Sequence, residues 1–214
     1  MRVGVIDYGV GNLGSVLRAL EVLRATPILI SRAVDLKTAD CFILPGVGNF
    51  TDCAQLLSAG GWTEPLADEV LGNNKPLLGV CVGMQLLADS STEGAEDEHV
   101  GTKGLGFVPG QVKHLRTLGC KLRIPHVGWN GAVRMQLDDQ LFNQIPDETD
   151  FYFVHSYAFV PSDDNDLVAT TNYGVNVAAA VRRGRVWGTQ FHPEKSSRAG
   201  LQLLNNFILS VVEC

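Results

Sequence analysis

The chain has 214 residues, 45% of them hydrophobic and 19% charged, with a formal net charge of −6. That length suits one α/β domain with a sizeable core and is short for two, and the acidic balance argues against nucleic acid as the main ligand. No apolar run approaches the roughly 18–20 residues that cross a bilayer, and MRVGVIDYGV at the start lacks the h-region and cleavage site of a signal peptide. A cytoplasmic protein that engages no membrane is expected.

The first element is an apolar run at residues 2–7 (RVGVID), followed by a Gly-rich turn, GVGNLG. SVLRALEVL then has helical spacing, with Val16, Leu17, Leu20 and Leu23 on one stripe. PILI (27–30), CFILP (41–45) and KPLLGV (75–80) read as buried strands, and ADEVL closes a second helical stretch. Short apolar strands alternating with helices predict βαβ units and a parallel sheet. The acidic, Gly-punctuated STEGAEDEHVGTKG, ending at Gly104, reads as a long exposed loop. Beyond it QVKHLR, KLRIPHV, AVRMQ, FYFVHSYAFV, LVATTNY, VAAAVRR and VWGTQFH are strand-like runs with antiparallel pairs expected, and RAGLQLLNNFILSVV has helical spacing. With no repeat or linker, residues 1–214 read as a single domain.

The five cysteines, Cys41, Cys53, Cys81, Cys120 and Cys214, are odd in number and contain no C-x-x-C, so neither a disulfide framework nor a structural zinc site is suggested. Cys81 differs from the rest. Gly79-Val80-Cys81-Val82-Gly83 joins strand LLGV to helix MQLLA and matches the nucleophile elbow G-x-S-x-G with Cys in place of Ser. Two glycines permit the tight turn that lifts the nucleophile clear of the sheet, and the helix N-terminus behind it favours a thiolate.

A cysteine nucleophile needs a base or imidazolium partner. Of His99, His114, His126, His155 and His192, the last stands out in Gln190-Phe191-His192-Pro193-Glu194, directly after an apolar strand. Residues i and i+2 of an extended segment share a side, so Glu194 can orient the His192 ring as the third member of a triad. Alone, His-Pro-Glu would read as a turn with a chance ion pair; with the elbow it completes a constellation. Acyl transfer also needs oxyanion donors. Candidates are the Val82 N–H and the loop Pro45-Gly46-Val47-Gly48, at the carboxyl edge of the sheet where α/β ligands bind.

Gly9-Val10-Gly11-Asn12-Leu13-Gly14 also matches the dinucleotide fingerprint G-x-G-x-x-G, which supports a rival NAD(P) oxidoreductase. The second strand should then end in an acid for the ribose, but Ser31 and Arg32 stand there. The rival also leaves the elbow and His-Pro-Glu without a role.

GVCVGMQLL together with GTQFHPEKS resembles the class I, triad-type glutamine amidotransferases. Within them DYGVGNLGSV, PHVGWN and FVHSYAF, with PGVGNF and STEG…GLGF, are similar to the glutaminase subunits of imidazole glycerol phosphate synthases. The resemblance implies a three-layer, flavodoxin-like α/β fold with a mixed, largely parallel sheet. It makes Cys81 the nucleophile that forms a glutamyl thioester, His192 its base and acid, and Glu194 the orienter. Val47, Gly48 and Val82 become the oxyanion hole, and Gly46, Gln85, Glu93, His155, Ser156 and Tyr157 hold the substrate glutamine. Asn12, His126, Trp129, Asn130 and Lys195 would meet the partner, a (β/α)8-barrel cyclase subunit in a heterodimer. Ammonia passed to that cyclase would yield imidazole glycerol phosphate and aminoimidazole carboxamide ribonucleotide, in histidine biosynthesis. No metal or organic cofactor is implied.

Apart from the resemblance, Trp129 reads as a core aromatic, Gln85 as a solvent-facing helix residue and HSY as core strand. Val80, Val82 and Ala158 depart conservatively from the usual pattern. Two further readings stay open: another synthase's glutaminase subunit, and a non-catalytic partner that kept the fold.

Overall fold

In the computed structural model residues 1–97 and 99–211 are described. Glu98 and residues 212–214 lie outside the described residues, and with them Cys214. The first half runs β1 (Arg2–Ile6), α1 (Leu13–Val22), β2 (Thr26–Ile30), β3 (Cys41–Gly46), α2 (Phe50–Ala59), α3 (Thr63–Ala67), β4 (Leu77–Cys81) and α4 (Val82–Gln85). The second comprises β5 (Ser90–Ser91), β6 (Thr102–Lys103), β7 (Gly110–His114), β8 (His126–Arg134), β9 (Thr149–His155), β10 (Tyr157–Pro161), β11 (Leu167–Asn172), β12 (Asn176–Arg183), β13 (Val186–Thr189) and α5 (Ser197–Leu209).

A nine-stranded mixed sheet has the order β2-β1-β3-β4-β13-β12-β11-β8-β9. It is parallel from β2 to β13 and antiparallel beyond. A four-stranded sheet, β10-β7-β5-β6, flanks it. β3 and β4 are buried at every residue, which is why CFILPG and LLGVC are continuous apolar runs rather than alternating ones. PILI differs from its reading as a buried strand. It lies in β2, whose only neighbour among the described residues is β1, and three of its four residues are not buried. KLRIPHV and AVRMQ are not separate strands either: β8 runs unbroken from His126 to Arg134 through the intervening Gly-Trp-Asn-Gly.

This topology brings three strand ends together. Gly46 pairs with Cys81 between β3 and β4, and Thr189 with Val80 between β13 and β4. The residues after β3, β4 and β13 therefore meet at one carboxyl edge. Fully buried Phe191 anchors the exit of β13, stacking on Phe151 at 4.0 Å between ring centroids and meeting Phe153 at 5.6 Å. Burial of one such ring contributes on the order of 2 kcal/mol.

Candidate active site

Cys81 ends β4 and caps α4 with φ 55° and ψ −112°, a backbone conformation L side chains rarely adopt. Close packing imposes the turn. A Cβ at Gly79 would meet the Gly83 carbonyl oxygen at 2.5 Å, one at Gly83 would overlap the Leu44 carbonyl, and one at Gly188 would meet Met84 Cγ at 2.6 Å. α4 can therefore press against β3, β4 and β13 only because these positions lack side chains. Val82 is the first residue of α4, so its N–H has no partner within the helix.

His192 follows β13 in extended conformation, φ −98° and ψ 97°, and is 2% exposed. Its Nδ1 lies 2.8 Å from Glu194 Oε1. A carboxylate only accepts, so Nδ1 carries the proton and Nε2 is left free for Cys81, which lines the same cleft. Burial pulls the imidazole pKa down, but the hydrogen bonds and negative charges of Cys81 and Glu194 outweigh it and raise the value to about 9. The charged form of His192 is thus favoured beside the sulfur. Glu194 Oε1 also accepts from Asn12 Nδ2 at 3.5 Å, whereas buried Oε2 has no partner among the described residues.

In front of the sulfur is a cleft of about 340 Å³ lined by Val47, Gly48, Cys81, Val82, Gln85, Glu93, Pro125, Val154, His155, Ser156, Tyr157 and His192. Every triad, oxyanion and substrate candidate named from sequence reaches it except Glu194, which stands behind His192, and Gly46. Gly46 is buried in β3, where a Cβ would meet the Gly83 nitrogen at 2.6 Å, so it serves the approach of α4 and not the cleft wall. Gln85 is 2% exposed and donates to the Tyr157 carbonyl at 3.1 Å and to Gln190 Oε1 at 3.0 Å, which overturns its reading as a solvent-facing helix residue. Glu93 accepts from the Phe50 N–H at 2.9 Å, and burial raises its carboxyl pKa.

His155 and His126 form a chain whose protons can be assigned. The Tyr157 carbonyl, 2.8 Å from His155 Nδ1, can only accept, so that nitrogen donates. His155 Nε2 must then accept from His126 Nδ1 at 2.9 Å, which leaves His126 Nε2 to accept from Asn130 Nδ2 at 3.5 Å. Both rings are neutral: burial takes each pKa down to about 4. His126, expected at the partner face, is only 2% exposed and is stacked between Phe153 and Tyr173, so Asn130 stands between it and that face. Trp129 departs the other way. Apart from the resemblance it reads as core, yet it is 53% exposed, its edge against Tyr152, whose ring also carries Lys195 Nζ at 6.0 Å.

Two residues at the site had no role assigned from sequence. Gln190, fully buried, sends Nε2 to within 3.8 Å of the Cys81 sulfur while accepting from Gln85. Ser196 donates to the His192 carbonyl at 2.6 Å and accepts from the Tyr152 N–H at 3.0 Å, while the His192 N–H donates to the Tyr152 carbonyl at 2.9 Å. Both adjoin the His-Pro-Glu motif, and that adjacency was the only signal. The Gly9–Gly14 turn abuts this machinery: a Cβ at Gly11 would meet Pro45 Cγ at 3.1 Å.

A strained cysteine at a strand-to-helix turn, with a His–Glu pair at the next strand's end, is the arrangement of a thiol-dependent acyl-transfer enzyme. The family model for glutamine amidotransferase class-I matches residues 4–211, and the chain belongs to that family. Relatives named imidazole glycerol phosphate synthase subunit HisH are 43% identical in Synechocystis, over 98% of this chain and 96% of that protein, and 38% identical in Pelagibacter ubique, over 97% and 99%. At that identity and coverage the chain falls within the group of HisH subunits. Among solved structures, PurLQS from Thermotoga maritima aligns with a TM-score of 0.76 at 18% identity, covering 98% of each chain. A glutamine amidotransferase from the same organism aligns at 0.68 and 16%, covering 100% of this chain and 99% of its own. These two likenesses bear on the fold alone. No described helix is long and apolar enough to cross a membrane.

Proposed function

We propose that the chain is a single glutaminase domain that hydrolyses glutamine at Cys81, His192 and Glu194 and delivers the ammonia to a cyclase subunit. The observation that carries this reading is that Cys81 and His192 line one cleft, with Glu194 bonded to His192 Nδ1 behind it. The Cys81 thiolate attacks the side-chain amide carbon of glutamine, and the carbonyl oxygen becomes an oxyanion held by the N–H groups of Val82 and the Val47–Gly48 segment. His192 gives its proton to the amide nitrogen as the C–N bond breaks, so ammonia leaves and a glutamyl thioester remains. Water, deprotonated by His192, then splits the thioester to glutamate and restores the thiolate. Glu194 holds the imidazole and balances its charge throughout.

Glu93, Gln85, His155, Ser156 and Tyr157 suit the polar end of an amino-acid substrate, with Glu93 opposite the α-ammonium. The names of the relatives support a synthase complex in which the acceptor is the cyclase substrate and the products are imidazole glycerol phosphate and aminoimidazole carboxamide ribonucleotide. The partner is a (β/α)8-barrel forming a heterodimer through Asn12, Trp129, Asn130 and Lys195, and the complex is cytoplasmic. The exposed Trp129, beside Tyr152 and Lys195, supports a contact there. In the reconstituted complex Cys81→Ala abolishes glutamine-dependent synthesis but leaves synthesis from added ammonium salt. A glutamine-analogue electrophile labels Cys81 and spares Cys41, whose pKa burial pushes up to about 12. Glutaminase activity retained by Cys81→Ala refutes the assignment.

A further inference from the structure

The end of β3 and the loop after it are tied down by two side chains that the reaction scheme does not use. The Tyr8 hydroxyl donates to the Pro45 carbonyl at 3.0 Å, and the Cys53 thiol donates to the Val47 carbonyl at 3.5 Å. Both are buried, at 6% and 1% exposure. Tyr8 belongs to the turn after β1 and Cys53 to α2, so the ties come from opposite sides of the loop in sequence.

The Val47 carbonyl and the Gly48 N–H belong to one planar trans peptide and point in opposite directions. With the carbonyl drawn toward Cys53, the Gly48 N–H is directed away from it. Val47 and Gly48 line the cleft, whereas Cys53 does not. Neither the Val47 nor the Gly48 N–H donates a hydrogen bond among the described residues, so both are available to a ligand. Gly48 has φ +95°, a conformation that glycine alone adopts without strain, so the loop has little intrinsic reason to stay put.

We propose that Tyr8 and Cys53 are positioning residues for this reaction: by holding the Pro45 and Val47 carbonyls they aim the Gly48 N–H at the oxyanion. The proposal rests on the oxyanion role given to the loop above. Burial raises the pKa of the Cys53 thiol, so at neutral pH it keeps the proton it donates. Tyr8 also lies in the turn whose Gly11 abuts Pro45 and whose Asn12 reaches Glu194, so one segment touches both the loop and the triad.

The test measures glutaminase turnover in the complex of the full chain with its nucleotide-loaded cyclase. Deleting an oxyanion donor outright lowers kcat by about 10²–10³-fold, so loosening one of two ties is expected to lower it on the order of 10-fold while the KM for glutamine stays within about twofold. Cys53→Ala and Tyr8→Phe show that loss. Cys53→Ser, which still has a hydrogen to donate to the Val47 carbonyl, recovers most of it. Circular dichroism checks each fold, and Tyr8→Phe, which loses a single oxygen, carries the test if Cys53→Ala does not fold. Wild-type kcat in the folded variants, a loss confined to KM, or a Cys53→Ser enzyme as slow as Cys53→Ala overturns the proposal. Gly48→Pro separates the two layers of inference. If it retains full activity, the oxyanion role of the Gly48 N–H itself fails; if it is inactive while the folded Tyr8 and Cys53 variants run at wild-type rate, only the tethering fails.

Discussion

The neutral chain from Asn130 through His126 and His155 to the Tyr157 carbonyl makes the fold sensitive to acid. Each imidazole is held neutral by burial, with its pKa taken from an ordinary 6.5 down to about 4, and the His192 charge further disfavours a proton on His155. Because the folded value is the lower one, the unfolded chain takes up protons first as pH falls. Stability is therefore intact above about 6.5 and is lost between 6.5 and 4. At about 1.4 kcal/mol per pH unit, one such group removes about 3 kcal/mol over that window. A proton added to His155 Nε2 would also face the His126 N–H that donates to it. The perturbation is His126→Gln, whose amide still donates to His155 but does not titrate. It lowers stability at pH 7, because the ring's stacking on Phe153 and Tyr173 is lost. Its decline with acid is nonetheless shallower than that of the wild type, by about 3 kcal/mol between pH 7 and 4, as read from urea-denaturation midpoints. Parallel pH dependence in the two proteins refutes both the tautomer assignment and the neutral pair.

Replacing His192 by Ala removes the proton carrier and replacing Glu194 by Ala only its support, so His192→Ala is the more damaging, each costing on the order of 10²-fold or more in kcat/KM; the reverse order means the roles are misassigned. The alkaline limb of the glutaminase pH profile lies near the His192 value of about 9, and Glu194→Gln shifts it to lower pH by removing a charge that favours the imidazolium; an unmoved limb contradicts this pairing. The isolated chain turns over glutamine slowly and is stimulated by the nucleotide-loaded cyclase, and Trp129→Ala weakens that association, measured by titration calorimetry. Equal turnover with and without the cyclase contradicts control by the partner.

The elements that could be read in advance are those whose cause is local. Gly79-x-Cys81-x-Gly83 states its own turn, because a side chain at either glycine collides with backbone. His192-Pro-Glu194 likewise implies that both side chains lie to one side, and the extended His192 backbone with its 2.8 Å contact to Glu194 is that geometry. α2 was legible too, though it is absent from the elements predicted above: Phe50, Cys53, Ala54 and Leu57 have helical spacing behind Asn49, whose side chain accepts from the Asp52 N–H.

What sequence could not supply depends on which strands become neighbours. PILI is apolar enough for a buried strand, but only the sheet order makes β2 an edge. Trp129 and His126 lie three residues apart on β8 and therefore on opposite faces, one exposed and one stacked against Phe153 and Tyr173. Hydrophobicity alone would sort those two the other way. Tyr8, Cys53, Gln190 and Ser196 act through partners 37, 6, 109 and 4 residues away. Only the two short spacings could have been considered from sequence, and even they require Val47 and His192 to present a carbonyl rather than a side chain. The nucleophile and its base are thus written in local motifs, whereas the groups that hold them in register follow from tertiary contact. Substitutions at those holding positions should accordingly alter kcat while leaving the nucleophile elbow and the His-Pro-Glu triplet intact.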